Sequence, residues 1–319
     1  MEEKRSEREI LFLDPVCTHN IWGGTKLRTE YGCAAEGDDI GECWGISAHP
    51  NGDGTVRGGR FAGMKLSEVW ERHPEVFGNL AYDRFPVMTK IIDAREDLSI
   101  QVHPDDAYAA EHENGSYGKT ESWYILDCGP DASLVVGHNA KDRAELASMI
   151  RDGKWSELIR EVPVKKGDFI QIDPGTVHAI KGGIVLLETQ QSSDITYRVY
   201  DYDRLWNGKP RQLHVQKSVD VITVPAKSAA DSVMPAADLP KNRLNLLYSC
   251  RYYDIFKADV EGETEFVQKW PFLAVSVVEG DGMICGCPIK KGDHLILPDG
   301  FGNVRIQGNL TLIASAVCR

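Results

Sequence analysis

The sequence predicts a mainly β protein, a barrel or sandwich with a helical appendage, from three observations. Short segments rich in β-branched and aromatic residues recur along the chain and are bounded by Gly, Pro or Asp, which is typical of strands. Helical periodicity is confined to two segments, 65–77 and 142–162. A phrase made of a Gly-Asp turn, an apolar strand and a turn containing Pro and Gly occurs twice, which indicates a duplicated β unit.

The predicted strands and helices do not alternate as they would in a parallel βαβ fold. In the first helical segment Leu66, Val69 and Trp70 are apolar at helical spacing, and in the second Leu146 and Ile150 are. The clearest predicted strands cover residues 85–92, 98–102, 123–126, 133–136, 169–172 and 184–188.

The repeated phrase divides the chain into two parts. Residues 165–175 read KKGDFIQIDPG and are echoed by KKGDHLILPDG at 290–300, but the second copy lacks a histidine matching His178. Between them, composition shifts to Ala, Ser, Asp, Pro and Lys, which indicates a connector. We therefore predict a catalytic metal-binding domain over 1–225 with helical segments at about 65–79 and 142–162, a connector over 226–242, and a metal-free domain over 243–319.

Bulk composition excludes several classes of protein. A chain of 319 residues with 42% hydrophobic and 26% charged residues can bury a substantial core. The net charge of −12 argues against a nucleic-acid binder. The N-terminus is charged where a signal peptide would be apolar, and no apolar segment is long enough for a membrane span. We expect a cytoplasmic protein whose eight scattered cysteines are reduced thiols.

Four residues in strand-like segments form a candidate metal site. Gln101 and His103 are two positions apart and so share one strand face, as do Lys119 and Glu121. His178 lies just after a Pro-Gly turn. Two imidazoles, a carboxylate and an amide oxygen suit a borderline metal such as zinc. The predicted ligands are therefore Gln101, His103, Glu121 and His178.

Six ordered motifs carry a resemblance to a known family: WGGTKL at 22–27, GECWGIS at 41–47, LSIQVHPDD at 98–106, GKTESWY at 118–124, PGTVHA at 174–179 and SDITYR at 193–198. They resemble type I mannose-6-phosphate isomerase (phosphomannose isomerase) in its short bacterial form, a family of the cupin superfamily. The resemblance implies two jelly-roll β-barrel units of the cupin type. It also implies one zinc ion per chain, bound by the four predicted ligands.

The resemblance further implies roles for residues near that metal site. Lys119 and Arg198 match positively charged catalytic groups of the family. Ser99 matches a position near the substrate phosphate, and Asp194 matches an acidic position that orients Arg198. Longer members often have a histidine before the lysine, where this chain has Gly118. An acid–base role for that histidine therefore cannot be carried over.

The expected reaction is the interconversion of D-mannose 6-phosphate and D-fructose 6-phosphate through a cis-enediol, with a small sugar phosphate as partner and a monomer or homodimer as the assembly. Two other classes stay open at this stage. A cupin oxygenase or decarboxylase with iron or manganese would favour a histidine-rich ligand set, which the glutamine ligand opposes. A non-catalytic cupin that binds sugar phosphates would not need both catalytic cations.

Overall fold

The computed structural model describes residues 9–228 and 232–317, and the chain is mainly β, as predicted. In chain order the strands of this described part are β1 (Leu11–Asp14), β2 (Val16–Gly24), β3 (Ile40–Ile46), β4 (Ala48–His49), β5 (Gly52–Asp53), β6 (Thr55–Val56), β7 (Val87–Ala94), β8 (Ile100–Val102), β9 (Glu121–Asp127), β10 (Ser133–His138), β11 (Ile159–Pro163), β12 (Asp168–Ile172), β13 (His178–Ile180), β14 (Ile184–Gln191), β15 (Tyr197–Tyr200), β16 (Leu205–Trp206), β17 (Lys209–Pro210), β18 (Val233–Pro235), β19 (Asn245–Ser249), β20 (Asp254–Gln268), β21 (Leu273–Ile284), β22 (Cys287–Lys290), β23 (His294–Leu297) and β24 (Gly302–Ala316). The α-helices are α1 (Lys26–Glu30), α2 (Leu66–Arg72), α3 (Asp106–His112), α4 (Arg143–Arg151), α5 (Trp155–Leu158) and α6 (Val215–Val221), with 3₁₀ turns at Gly59–Phe61 and Pro74–Phe77.

The chain forms two compact units that are not contiguous in sequence. The C-terminal unit combines residues 9–18, 25–91 and 238–317, and the central unit combines 19–24 with the described residues from 92 to 237. The sequence-based division at 1–225, 226–242 and 243–319 is contiguous and differs in this respect. Residues 1–8, 229–231 and 318–319 of those predicted segments lie outside the described residues.

The C-terminal unit is built on one sheet in the order β19-β20-β24-β21-β23-β1-β6, with β22 paired to β21. Strands β20 and β24 pair without a register shift from Asp254 opposite Ala316 to Gln268 opposite Gly302. Inward residues of these strands, such as Val260, Ile306 and Leu312, are buried in one hydrophobic core. Burial of apolar area on one face of the sheet stabilises this unit.

The repeated phrase folds in the same way in both units. In each copy the backbone amide of the first lysine donates to the aspartate three residues on, Lys165 to Asp168 and Lys290 to Asp293, both at 2.9 Å. The glycines before these aspartates have φ of +90° and +89°, which glycine adopts without strain. The strands that follow are β12 and β23. The sequence repeat therefore corresponds to one turn-and-strand motif used twice.

The central unit has two sheets. One has the order β11-β10-β13-β8-β15; the other runs β18-β12-β9-β14 and continues through the end of β7 to β2, where Gly23 pairs with Ala94. A core containing Trp22, Trp123 and Ile180 joins residues of both sheets. Ile100 and Val102 of β8 instead belong to a second core with helices α4 and α6. Alternation along β8 therefore directs Gln101, between them, away from the helices.

The predicted helix over 142–162 is wrong at its C-terminal end. Helix α4 ends at Arg151, Gly153 takes φ of +66°, and after the short helix α5 the residues Ile159–Pro163 form β11 against β10. Ladder pairing with β10 outweighs the helical spacing of the apolar residues there. In the predicted segment 65–79, α2 ends before Pro74, which begins a separate 3₁₀ turn because proline lacks an amide donor.

The expectation that every cysteine is a reduced thiol is wrong for one pair. Cys17 and Cys33 form a disulfide, with Cα atoms 6.5 Å apart, a separation that a disulfide can span. The free cysteines in the described part are Cys43, Cys128, Cys250, Cys285 and Cys287. None of the described helices has both the length and the apolar character needed to cross a bilayer.

A buried histidine of the C-terminal unit predicts loss of stability in acid. His294 on β23 is buried, its Nδ1 lies 2.8 Å from Ser276 Oγ, and burial lowers its pKa to about 4. The unfolded chain takes up this proton near pH 6.5, so stability falls as pH drops from about 6.5 towards 4. At pH 5 this group should cost about 2 kcal/mol relative to pH 7. Urea unfolding of the native chain and of His294→Gln at both pH values measures the difference. An equal pH dependence of the free energy of unfolding in the two proteins would refute this role of His294.

Candidate active site

The predicted ligands lie in or directly after strands of the two sheets of the central unit. Gln101 is the middle residue of β8, and His178 is the first residue of β13 in the same sheet. Glu121 is the first residue of β9 in the other sheet, and His103 follows β8 directly. Ser99 is buried immediately before β8.

Three of the four predicted ligands converge in the buried interior. The His103 and His178 Nε2 atoms are 3.1 Å apart, and they lie 3.3 Å from Glu121 Oε2 and Oε1, respectively. All three side chains, His103, Glu121 and His178, are buried, and they are called the triad below. Ligand atoms about 2.0–2.1 Å from a tetrahedral metal are separated by about 3.3 Å. The observed separations therefore fit a single small divalent cation.

The electrostatic environment gives these ligands the protonation states that a metal requires. Burial lowers the pKa of His103 to about 3, with a further contribution from the Lys119 ammonium, and burial also lowers the pKa of His178. Burial alone would raise the pKa of Glu121, but Lys119 and the two histidines outweigh it and hold that pKa well below its ordinary value. Neutral imidazoles and an ionised carboxylate are the forms that bind metals.

Hydrogen bonding fixes the ring orientation of one histidine. His178 Nδ1 lies 2.8 Å from the carbonyl oxygen of Thr176, which can only accept, so Nδ1 carries the proton and Nε2 presents its lone pair. Within the described part of the chain, His103 Nδ1 and the Glu121 oxygens have no hydrogen-bond partner, although the Glu121 oxygens make the ion-pair contacts with lysine and histidine. A cluster of acceptors facing one another is well suited to a bound cation.

The fourth predicted ligand is placed by strand register. Gln101 is directly opposite His178 on one side and directly opposite Arg198 of β15 on the other. Residues opposite one another in an antiparallel pair project on the same face, with Cβ atoms about 5 Å apart. Gln101 therefore lies between His178 of the triad and the guanidinium-bearing Arg198 on one face of the sheet. Its role as a ligand stays a prediction.

Arg198 is held by the segment that follows β15. Its Nη1 donates to the carbonyl oxygen of Gln212 at 2.9 Å, and its backbone pairs with His214 at 3.2 and 2.7 Å. Burial and then the charge of Arg211 lower the pKa of Arg198, but a guanidinium stays protonated at neutral pH. Asp194 is exposed, and the orienting contact described for Arg198 comes from Gln212. The orienting role of Asp194 stays a prediction.

Lys119 is buried and contacts the triad directly. Its Nζ lies 2.8 Å from Glu121 Oε2 and 3.2 Å from His103 Nε2. It also lies 3.9 Å from Oε1 of Glu188, a residue that the sequence reasoning missed. Glu188 is buried on β14 and accepts a hydrogen bond from Trp123 Nε1 at 3.1 Å. The sequence feature that could have identified Glu188 is its position directly after the apolar residues of β14. A buried charge at such a position requires a partner.

Comparisons with known proteins agree with this geometry. Residues 10–124 match the family model described as phosphomannose isomerase type I, catalytic domain, and residues 242–317 match the mannose-6-phosphate isomerase, cupin domain. The chain is 48% identical to mannose-6-phosphate isomerase ManA of Bacillus subtilis and 44% identical to a mannose-6-phosphate isomerase of Streptococcus mutans. Each match covers 96% of this chain and 98% of the relative.

A solved structure gives the same result in three dimensions. The crystal structure of the mannose 6-phosphate isomerase from Bacillus subtilis superposes with a TM-score of 0.91 at 44% identity. The match covers 97% of this chain and 100% of that one. The similarity therefore extends over both compact units and includes the segments that contribute the triad.

Proposed function

The chain belongs to the type I mannose-6-phosphate isomerase family, and we propose from that premise that it catalyses the isomerisation with one zinc ion and a cis-enediol intermediate. The observation that carries the zinc proposal is the buried triad of His103, Glu121 and His178, with ligand atoms at 3.1 and 3.3 Å. Gln101 completes the proposed ligand set from the position opposite His178.

The metal has a defined chemical task in this proposal. The triad and Gln101 would hold the zinc ion, which when bound would supply a Lewis acid for the oxyanion charge that develops during isomerisation. Two neutral imidazoles and one carboxylate suit zinc, and the amide oxygen of Gln101 leaves the total ligand charge at −1. Such a site supports an isomerisation without redox chemistry.

Lys119 is the chain's own candidate for moving a proton at the sugar. Its Nζ lies 2.8 Å from Glu121 Oε2 and 3.9 Å from Glu188 Oε1, so two buried carboxylates lie beside its amino group. In the aldose-to-ketose direction one proton moves from C2 to C1 and another from O2 to O1, and the reverse reaction returns both. No electron acceptor is needed for this overall balance.

Arg198 and Ser99 are proposed to bind the anionic parts of the substrate. Arg198 lies beside Gln101 in the strand register and keeps its charge, which suits it to an enediolate or a phosphate. Ser99, buried one residue before β8, is proposed to donate to the phosphate, and Asp194 to take part in substrate binding. Cytoplasmic location and a monomer or homodimer stay predictions.

The test of this function is a coupled assay for the conversion of mannose 6-phosphate into fructose 6-phosphate, with elemental analysis of the same sample. We expect turnover that a chelator removes and added zinc restores, because the triad is the site of the Lewis acid. A zinc-loaded sample that does not turn over mannose 6-phosphate would refute the proposal.

Arg198→Ala should separate turnover from metal binding. We expect kcat to fall by about 10²–10³-fold with zinc content unchanged, because Arg198 stabilises charge without contacting the triad. Arg143→Ala is the matched control: Arg143 also donates to backbone carbonyls, those of Val219 and Ile222, but lies on helix α4. A folded Arg198→Ala protein that loses zinc would contradict the assignment. Kinetics and elemental analysis of both variants decide it.

A further inference from the structure

Lys119 reaches the triad from a segment that has no regular secondary structure. Strand β9 begins at Glu121, so residues 118–120 lie outside the ladder. A lysine side chain on an unsupported segment would sample many positions, since its rotamers carry considerable entropy. The placement of its Nζ 2.8 Å from Glu121 Oε2 therefore requires contacts that hold the backbone.

Every backbone amide of residues 118–120 is bound by a neighbouring segment. The Gly118 amide donates to Asp106 Oδ1 at 2.9 Å, and the Thr120 amide donates to Gln191 Oε1 at 2.9 Å. The Lys119 amide, between them, donates to the carbonyl oxygen of Pro104 at 3.0 Å. These bonds fix the backbone on both sides of Lys119.

The two side chains involved also bind each other. Gln191 Nε2 donates to the same Asp106 oxygen, Oδ1, at 2.9 Å. The Gln191 amide further donates to the Thr120 carbonyl at 3.0 Å, so Gln191 holds Thr120 through both its backbone and its side chain. Asp106 and Gln191 thus form a closed bracket around residues 118–120. A carboxylate that accepts from an amide and from a side-chain amide makes strong bonds.

The glycine at position 118 fits this bracket for a steric reason. A Cβ atom there would lie 2.4 Å from the Asp105 carbonyl carbon and 2.5 Å from the Asp106 nitrogen, both backbone atoms that cannot move aside. The chain therefore approaches the start of helix α3 more closely than any side chain would allow.

The metal ligand two residues later is held in a different way. Glu121 pairs with Ile172 of β12 and with Gln190 of β14, so ladder partners on both sides fix its position. Loosening the bracket should displace Lys119 more than Glu121. The bracket therefore positions Lys119, whereas strand pairing with β12 and β14 positions Glu121.

We propose that Asp106 and Gln191 are positioning residues that hold Lys119 against the triad through the backbone of residues 118–120. The inference rests on the proposed function for its kinetic consequence. The hydrogen bonds described here join the two side chains to that backbone and to each other, so both residues act through Lys119.

The kinetic test compares Asp106→Ala with Asp106→Asn in the zinc-loaded full-length protein. Asp106→Ala removes the shared acceptor, and we expect kcat to fall by about tenfold to a hundredfold through misplacement of Lys119. KM for mannose 6-phosphate should stay within about twofold, and zinc content should not change. Asparagine keeps an acceptor oxygen, so Asp106→Asn should recover kcat to within about threefold of the native value.

Asp105→Ala is the matched structural control. The Asp105 side chain accepts from the Tyr108 amide and caps helix α3, but it is not part of the bracket. This variant should lose thermal stability and keep kcat. Asp106→Ala with native kcat, or Asp106→Asn as impaired as Asp106→Ala, would overturn the inference, as would a loss of kcat that matches the loss of zinc.

Hydrogen exchange of the peptide containing residues 117–121 tests the bracket without activity. We expect faster exchange of the 118 and 120 amides in Asp106→Ala and in Gln191→Ala, with native rates in Asp105→Ala. Unchanged exchange in Asp106→Ala would overturn the inference whether or not the protein turns over sugar phosphate. Absence of turnover by the native protein would instead overturn the proposed function, and the exchange measurement would still decide the bracket.

Discussion

Replacing His178 by alanine is expected to release the metal and to lower kcat/KM by at least about 10³-fold. The His178 Nε2 atom faces both His103 Nε2 and Glu121 Oε1, and its Nδ1 is fixed by Thr176. Removal of this imidazole leaves one histidine and one carboxylate in the buried triad. Elemental analysis and the coupled assay on the same folded sample measure the two effects.

His138→Ala is the control for this experiment. His138 is also buried in the central unit, its Nε2 contacts the Thr223 carbonyl at 3.0 Å, and burial lowers its pKa too. The His138→Ala variant should therefore show the loss of stability that follows removal of a buried imidazole, but it should keep the metal. Where His178→Ala fails to fold, His178→Gln preserves more side-chain volume for the same comparison. A folded His178 variant with native zinc content would refute the ligand assignment.

Replacing Lys119 by methionine is expected to lower kcat by about 10²–10⁴-fold with the metal retained. Methionine fills much of the same space, so packing changes little, but it cannot exchange a proton. It also cannot reproduce the polar interactions of Nζ with Glu121 Oε2, His103 Nε2 and Glu188 Oε1. Since none of these atoms depends on Lys119 for its backbone position, the triad should remain assembled.

Lys181→Met is the corresponding control. Lys181 follows β13 and forms a partly exposed ion pair with Glu161 at 2.8 Å, so its loss should leave kcat unchanged. Steady-state kinetics with elemental analysis separates the outcomes. A Lys119→Met enzyme with kcat within about twofold of native, or one that has lost zinc, would show that Lys119 has another role.

The sequence was sufficient for the parts of the site that local patterns determine. Local patterns are enough to recognise the two-residue spacing of Gln101 and His103 and the turn before His178. The structure brings His103, His178 and Glu121 together. Glu188 was missed because its function depends on which residue faces it across the ladder, here Trp123. Pairing partners of that kind depend on the fold as a whole.

The fold was predictable to a similar extent. The mainly β class and the repeated turn follow from local composition, and both are confirmed. Residues 159–162 of β11 were predicted as helix, because their apolar spacing fits both structures and only pairing with β10 decides between them. The grouping of residues 25–91 with the C-terminal residues depends on long-range packing, which no local pattern reports.

Because the triad is distributed over two sheets, a metal ion bound there would also stabilise the fold. His178 belongs to the sheet containing β8 and β13, whereas Glu121 belongs to the sheet containing β9. An ion held by both is a crosslink between the layers of the central unit, formed without a covalent bond. With zinc as the proposed ion, each tenfold rise in free zinc above its dissociation constant would add about 1.4 kcal/mol to the stability of that unit. If the proposed zinc site is correct, the equilibrium stability of the central unit depends on the free zinc concentration as well as the rate of the reaction does.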